Sequence, residues 1–317
     1  MENLDIGRFQ ACREKVVGNC SQVILGKEDV ITLVLTAFLC SGHVLLEDLP
    51  GTGKTMLLRS FAKTLGGKFN RIQFTPDLLP SDLTGINFYN QKTGDFQFRP
   101  GPLFANIILA DEINRATPRT QSSLLEAMEE RQITADGNTH VLEEPFMVMA
   151  TQNPIESYGT FPLPEAQVDR FFMRLSLGYM EREDELAVIS RPSTQAVLDK
   201  LETVVTAEDT AWLKENYCQI TVSKDVAGYI MDIVEKTRSD KCFASGVSTR
   251  GAIALYKASQ VTAAFRGRSF VTPEDVLFVA PHVLTHRIQS GNLGNAKTAG
   301  DYLKDLIAKI PVPLEKL

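Results

Sequence analysis

The feature that most constrains this chain is a seven-residue run, Leu49-Pro-Gly-Thr-Gly-Lys-Thr55, set between an apolar segment and a helical one. Glycines let the backbone wrap closely around phosphate oxygens, so that successive N–H groups point inward. The N-terminus of the following helix adds its partial positive charge. Lys54 is then placed to reach β and γ phosphates, and the Thr55 hydroxyl to hold Mg²⁺. One position departs from the strict G-x-x-x-x-G-K-[ST] pattern, because Asp48 stands where the first glycine would be.

The surrounding sequence predicts strands alternating with helices. Residues 43–47, HVLLE, read as a short buried strand and residues 54–64 as a helix. Residues 69–74, 106–110 (NIILA), 146–150 (FMVMA) and 171–177 supply four further strand candidates, and 121–130 another helix. Continuous apolar runs of this kind suit central strands of a parallel sheet, so an α/β unit is expected. The run VITLVLTAFLC, residues 30–40, is too short to span a bilayer and reads as a buried helix. Two inserts interrupt the alternation. Residues 78–102, rich in Pro, Gly, Asn and Asp, are long for a plain connection. Residues 132–142 carry Asp136-Gly137 between alternating segments, a hairpin signal.

Two strand ends carry chemistry. Residues 107–112, IILADE, bring two adjacent carboxylates to the carboxyl edge of the sheet, where open α/β sheets bind ligands. Asp111 would support the Mg²⁺ shell, and Glu112 would orient and deprotonate an attacking water. A second acid suits hydrolysis better than transfer to a bound substrate, since water needs its own base. Asn153 ends the other strand, in ATQN before Pro154, and a neutral amide there can hold water without adding charge.

Past residue 200 helix signals dominate. Thr206-Ala-Glu-Asp209 and Thr272-Pro-Glu-Asp275 read as capped helix starts. Val226, Ile230, Ile233 and Val234 recur at helical spacing, as do Ile253, Leu255, Ala258 and Val261. A smaller all-α domain over residues 196–317 is therefore expected after an α/β core over 1–195, with 190–194 (SRPST) as the hinge. A chain of 317 residues accommodates two such units. The net charge of −6 argues against a chain built to wrap nucleic acid. Five scattered cysteines with no C-x-x-C suit free thiols in a reducing cytoplasm, and no leader or membrane segment is legible. His282 and His286 share helical spacing but lack the glutamate of H-E-x-x-H, so they are not read as metal ligands.

The motifs EDLPGTGKT, FTPDLLPSDLTG, LADEINRATPRTQSSLLEAMEE, ATQNP, LPEAQVDRF and VTPEDV follow one another in this order over nearly the whole chain. In this the sequence resembles the MoxR family of AAA+ ATPases, in the clade with a helix-2 insert. The resemblance implies a P-loop AAA+ core, with a parallel five-stranded sheet flanked by helices, followed by a helical lid. It implies ATP and Mg²⁺ as cofactors, with the loop from Leu49 through Pro50, Gly51, Thr52 and Gly53 to Met56 around the phosphates. Asn153 matches the sensor-1 amide. Arg170 matches the arginine offered to the next subunit's γ-phosphate, with Arg174 as the alternative. Arg250 matches the sensor-2 arginine, expected to touch ATP in cis, and Gly26 the segment near adenine. The 78–102 and 132–142 inserts match the helix-2 insert and the hairpin before sensor 1, which in ring motors often handle the substrate. Such proteins look like ring-forming motors, here a hexamer, that remodel or activate partners bearing von Willebrand factor A domains. A chelatase- or DNA-directed motor and a nucleotide-gated scaffold without hydrolysis stand as alternatives.

Overall fold

The structure, a computed structural model, describes residues 4–48, 51–152, 159–191, 193–290 and 298–313. Two helices come first, α1 (Ile6–Cys20) and α2 (Glu28–Leu39). Strand β1 (Val44–Glu47) and helix α3 (Lys54–Thr64) flank the glycine loop, and β2 (Phe69–Gln73) follows. The 78–102 insert has structure of its own: helix α4 (Pro80–Thr84), then an antiparallel hairpin of β3 (Gly85–Asn90) and β4 (Asp95–Pro100). Next come β5 (Ile107–Asp111) and α5 (Pro118–Glu130). Helix α5 starts before the expected 121 because Pro118 takes the first helical position, where its missing N–H leaves no bond unmade. The second insert is the expected hairpin, β6 (Gln132–Ala135) with β7 (Asn138–Val141), turning on Asp136 and Gly137 at φ of 48° and 80°. Strand β8 (Met147–Gln152), helix α6 (Glu165–Val168) and strand β9 (Met173–Leu175) complete the α/β part.

Five of these strands form one parallel sheet in the order β2-β5-β8-β1-β9. Side chains alternate between its two faces. Val44, Leu46, Ile107, Leu109, Met147 and Met149 join one apolar cluster, with α1, α2 and α3. Leu45, Ile108, Ala110, Val148 and Ala150 join the other, with Leu124, Leu125 and Met128 of α5. Burial on both faces is why these strands read as unbroken apolar runs rather than alternating ones.

The remaining elements are helices α7 (Arg182–Ile189), α8 (Thr194–Lys200), α9 (Ala207–Asn216) and α10 (Lys224–Ser239), strand β10 (Phe243–Ser245), helices α11 (Thr249–Phe265) and α12 (Pro273–Leu284), strand β11 (Gln289–Ser290) and helix α13 (Ala299–Ile307). The helical lid thus also carries a two-stranded antiparallel ribbon, β10 with β11. Both expected caps are present: the Asp209 N–H donates to Thr206 Oγ1 at 3.0 Å, and Thr272 forms a reciprocal box with Asp275. Ile253, expected on the apolar stripe of α11, is instead 51% exposed, because Ala254, Leu255, Ala258 and Val261 form the buried face. The lid lies against the α1/α2 side of the sheet, sharing the cluster that runs from Phe9 through Leu57 to Val261 and Ile307. Arg8 of α1 pairs with Asp209 of α9 at 2.8 Å, and Lys63 of α3 donates to the carbonyls of Leu198 and Asp199. Among the described residues no helix is long and apolar enough to cross a membrane.

His43, immediately before β1, ties this scaffold together. The Val148 N–H donates to its Nδ1 and its Nε2 donates to the Met128 carbonyl, both at 2.9 Å. Burial, reinforced by the Arg131 charge, pushes its pKa down to about 3. The native ring therefore stays neutral while the unfolded one takes a proton below about pH 6.5. The contribution is fully present above that pH and is lost as pH falls toward 3. At pH 5 the loss from His43 is about 2 kcal/mol, with His286, also held low by burial, acting in the same direction. Urea unfolding at pH 7.5 and pH 5 should show it. A His43→Asn variant should be less stable throughout yet lose that part of the pH slope; an unchanged slope would remove His43 as its source.

Candidate functional site

Parallel strands bring their last residues to one edge of the sheet, and the glycine loop lies there. Gly51 and Gly53 sit at φ of 86° and 91°, in the left-handed region where glycine is at ease, and Gly53 caps α3. A cavity of about 390 Å³ opens at this edge. Its wall takes Gly51, Gly53, Lys54, Thr55 and Met56 from the loop and α3, Asp111 and Glu112 from the end of β5, and Thr151 from β8. Thr52 lies in the loop between the two glycines. Leu49, Pro50 and Asn153 lie outside the described residues.

Asp48, the departure from the strict pattern, is buried and braces the loop. Its Oδ1 accepts from Ser176 Oγ at 2.6 Å and from the Gly178 N–H at 3.0 Å, and its Oδ2 from the Leu177 N–H at 2.7 Å. The carboxylate thereby joins the end of β1 to the chain leaving β9. Lys54 Nζ donates to the Asp48 carbonyl at 3.0 Å.

The two acids are fixed by their neighbours. Thr151 Oγ1 donates to Asp111 Oδ1 at 2.7 Å and accepts the Glu112 N–H at 2.8 Å. Arg71 Nη2 donates to Asp111 Oδ2 at 2.6 Å. Gln73 Nε2 donates to Glu112 Oε2 at 2.8 Å, and Arg115 Nε lies 3.1 Å from the same oxygen. Glu112 itself is left-handed, at φ of 57°, where the chain turns off the strand. Arg71 and Gln73 escaped the sequence reading. The available signal was polar side chains two apart at the end of a strand beside the Asp-Glu strand, since Gln73 pairs in register with Asp111.

The donor set fits a nucleoside triphosphate with a divalent cation. Two positive-φ glycines and a lysine line the same wall as the Thr55 hydroxyl and the Asp111 carboxylate. Mg²⁺ is commonly held by one or two protein oxygens, with phosphates and water completing the shell. Among the described residues no cluster of three or more His, Cys, Asp and Glu offers an all-protein metal cage. Gly26 is not in the wall. It sits at φ of 65°, and an added Cβ would collide with the Asp184 carboxylate, while Ile24 lies 3.7 Å from the Cβ position of Gly53.

Arg170 and Arg250 lie elsewhere, together. Both line a cleft of about 420 Å³ with Ser41, Gly42 and His43, the residues that precede β1. That is the amino edge of the sheet, across from the glycine loop. Glu129 of α5 pairs with both, Oε2 to Arg170 Nη2 at 3.2 Å and Oε1 to Arg250 Nη2 at 2.7 Å. Asp169 links the same two segments: it accepts from Ser248 Oγ, the cap of α11, at 3.1 Å, and from Arg287 Nε at 2.9 Å. Arg250, expected from sequence to touch the nucleotide of its own chain, is thus placed at the edge of the sheet opposite the glycine loop, where the packing of the lid carries α11. Arg174 does not join the pair; it bonds Glu47 within the sheet at 3.1 Å. His286 Nε2 donates to the Phe171 carbonyl at 2.9 Å, a structural bond.

Comparison with known proteins agrees with this architecture. A family described as "ATPase family associated with various cellular activities (AAA)" matches residues 43–173, and an "AAA lid domain" matches residues 235–306. The chain is 47% identical over 306 residues to the uncharacterized protein YeaC of Bacillus subtilis, covering 95% of each. It is 39% identical over 284 residues to chaperone MoxR1 of Mycobacterium tuberculosis, covering 87% of this chain and 75% of that protein. A crystal structure of a candidate ATPase from Cytophaga hutchinsonii superposes with a TM-score of 0.89 at 37% identity, covering 97% of this chain and 98% of that one. The shared motifs, the two-part architecture and these relatives lead to one conclusion: the chain belongs to the MoxR family of AAA+ ATPases.

Proposed function

We propose that this chain is an Mg²⁺-dependent ATP hydrolase that acts in a ring and uses turnover to remodel or mature other proteins. One observation carries the reading: Lys54, Thr55, Asp111 and Glu112 share the wall of one cavity beside a positive-φ glycine loop. In it, residues 49–56 wrap the phosphates and Lys54 leaves the Asp48 carbonyl for the β and γ oxygens. Thr55 and Asp111 hold the cation, which when bound offsets charge on those oxygens. Glu112, oriented by Gln73 and Arg115, takes the proton of the attacking water, and Asn153 helps to place that water. Gly26 borders the base.

Arg170 and Arg250 serve the next subunit's phosphates, both in trans, since their cleft lies on the far edge of the sheet from their own loop. A head-to-tail contact between the two edges gives a ring when its rotation closes, and a hexamer is the family's expected size. The motor core over residues 1–195 and the lid over 196–317 would then move against each other with the nucleotide. A remodelling role is supported by relatives that include chaperone MoxR1, and by the β3–β4 hairpin, which exposes Ile86, Tyr89 and Phe96 to solvent. The partner class is a protein with a von Willebrand factor A domain, the place of action the cytoplasm, and nucleic acid is not a target.

ATP turnover with Mg²⁺ and with the metal chelated tests the chemistry. Release of phosphate is expected only with the metal. Nucleotide binding with no turnover in either condition would replace the motor with a gated scaffold.

A further inference from the structure

The cleft at the amino edge has a peculiarity of charge. Five cationic side chains line it, Arg131, Arg170, Arg250, Lys257 and Arg287, against one carboxylate, Glu129. Two of the five are engaged by backbone or by the seam. Arg287 bonds Asp169 and the Phe171 carbonyl, and Arg131 bonds the carbonyls of Phe146 and Ser41. Lys257 lies two turns beyond Arg250 on α11. Arg170 and Arg250 come from different parts of the fold, and the two oxygens of Glu129 take one each.

A carboxylate that accepts one guanidinium on each oxygen presents to this pair the same pattern as two oxygens of a phosphate group. We infer that Glu129 is a resident stand-in for that phosphate. It is a positioning residue that gathers Arg170 and Arg250 in the lone subunit and is displaced when a phosphate anion enters the cleft. This rests on the reading of the two arginines given above. Three features carry it. The acid is half-exposed at the mouth of an open cavity rather than locked in a core, so it can leave. Its partners are the two guanidiniums reserved for a neighbour. Asp169, the other acid at this seam, is occupied by Ser248 and Arg287 and keeps the two segments aligned when Glu129 withdraws. The exchange replaces a singly charged anion by a more highly charged one, so it runs forward when the neighbour carries a triphosphate and reverses after release. Glu129 thus sets how readily the arginines engage, and it keeps them off dilute phosphate in the unassembled subunit.

The test uses the full chain with Lys54→Ala, which weakens the glycine loop as a competing phosphate site, and inorganic tripolyphosphate as the probe. Calorimetric titration at low salt should show binding about tenfold tighter when Glu129→Gln is added, because one unit of competing charge is removed while shape is kept. Adding Arg170→Ala or Arg250→Ala to that variant should abolish the gain. With the loop intact, Glu129→Gln should lower by about threefold or more the protein concentration at which specific ATP turnover is half-maximal. Unchanged or weaker tripolyphosphate binding in a folded Glu129→Gln protein would overturn the inference and leave Glu129 a brace. If that variant fails to fold, Glu129→Asp, one methylene shorter, should give a smaller gain of the same sign, and no gain would count equally against it. The titration reads the cleft of a single subunit, so it can fail while the trans reading of the arginines survives, and the reverse.

Discussion

Glu112→Gln should bind ATP within about threefold of the wild-type affinity and hydrolyse it about 10²–10⁴-fold more slowly. The substitution keeps size and shape. Gln73 Nε2 can still donate to the side-chain oxygen, and the Glu112 backbone N–H to Thr151 Oγ1 is untouched, so the end of β5 keeps its geometry. Asp111, one residue earlier, retains Thr151 and Arg71 and remains available to the cation. What disappears is the negative charge with its basic oxygen, and with it the charge partner of Arg115. Lys54→Ala makes the contrasting variant, losing affinity as well as rate. Single-turnover hydrolysis alongside equilibrium nucleotide binding separates the two effects. Undiminished turnover in Glu112→Gln would put the base elsewhere. The same variant, held with ATP, is the natural bait for identifying the client protein.

The glycine loop, the Asp-Glu strand and the five strands were legible because their signals are local. A buried parallel strand needs a continuous apolar run, and IILAD and MVMATQ supply it, both faces being covered in the structure. Asp136-Gly137 announced its hairpin through turn chemistry alone. The features that sequence did not yield depend on which distant segments meet. Asp48 departs from the glycine pattern for a reason the local sequence does not carry, the three hydrogen bonds donated to it by the chain after β9. Ile253 fitted a helical stripe, yet the face of α11 that packs is set by where α12 and α1 lie, and Ile253 falls beside Arg250 over the cleft. Arg250 was identifiable as a helix-start arginine of the lid. Which edge of the sheet it reaches is a property of the docking of α11 and of the Asp169–Ser248–Arg287 contacts, and no spacing along the chain encodes it.

That placement has a quantitative consequence for mixed rings. Arg170→Ala, Arg250→Ala and Lys54→Ala should each reduce turnover strongly when alone, the arginine losses approaching about 10³-fold by analogy with other trans arginines. A seam in a mixed ring works when a subunit with an intact glycine loop meets a neighbour with intact arginines. In an equal mixture of Lys54→Ala and Arg170→Ala subunits that coincidence occurs at about one seam in four, so about a quarter of wild-type activity should return. The decisive arm replaces Arg170→Ala with Arg250→Ala. If Arg250 acts on the neighbour, as we propose from its place beside Arg170 on Glu129, that mixture should recover to the same level. If Arg250 touches the nucleotide of its own chain, every subunit with an intact loop lacks it, and nothing returns. The double variant Arg170→Ala/Arg250→Ala mixed with Lys54→Ala sharpens the point: recovery equal to the single-arginine mixtures means one neighbour supplies both guanidiniums. Recovery with Arg170→Ala alone would mean that assembly swings the lid across the sheet, breaking the Asp169–Ser248 contact and separating two arginines that a single carboxylate now holds together.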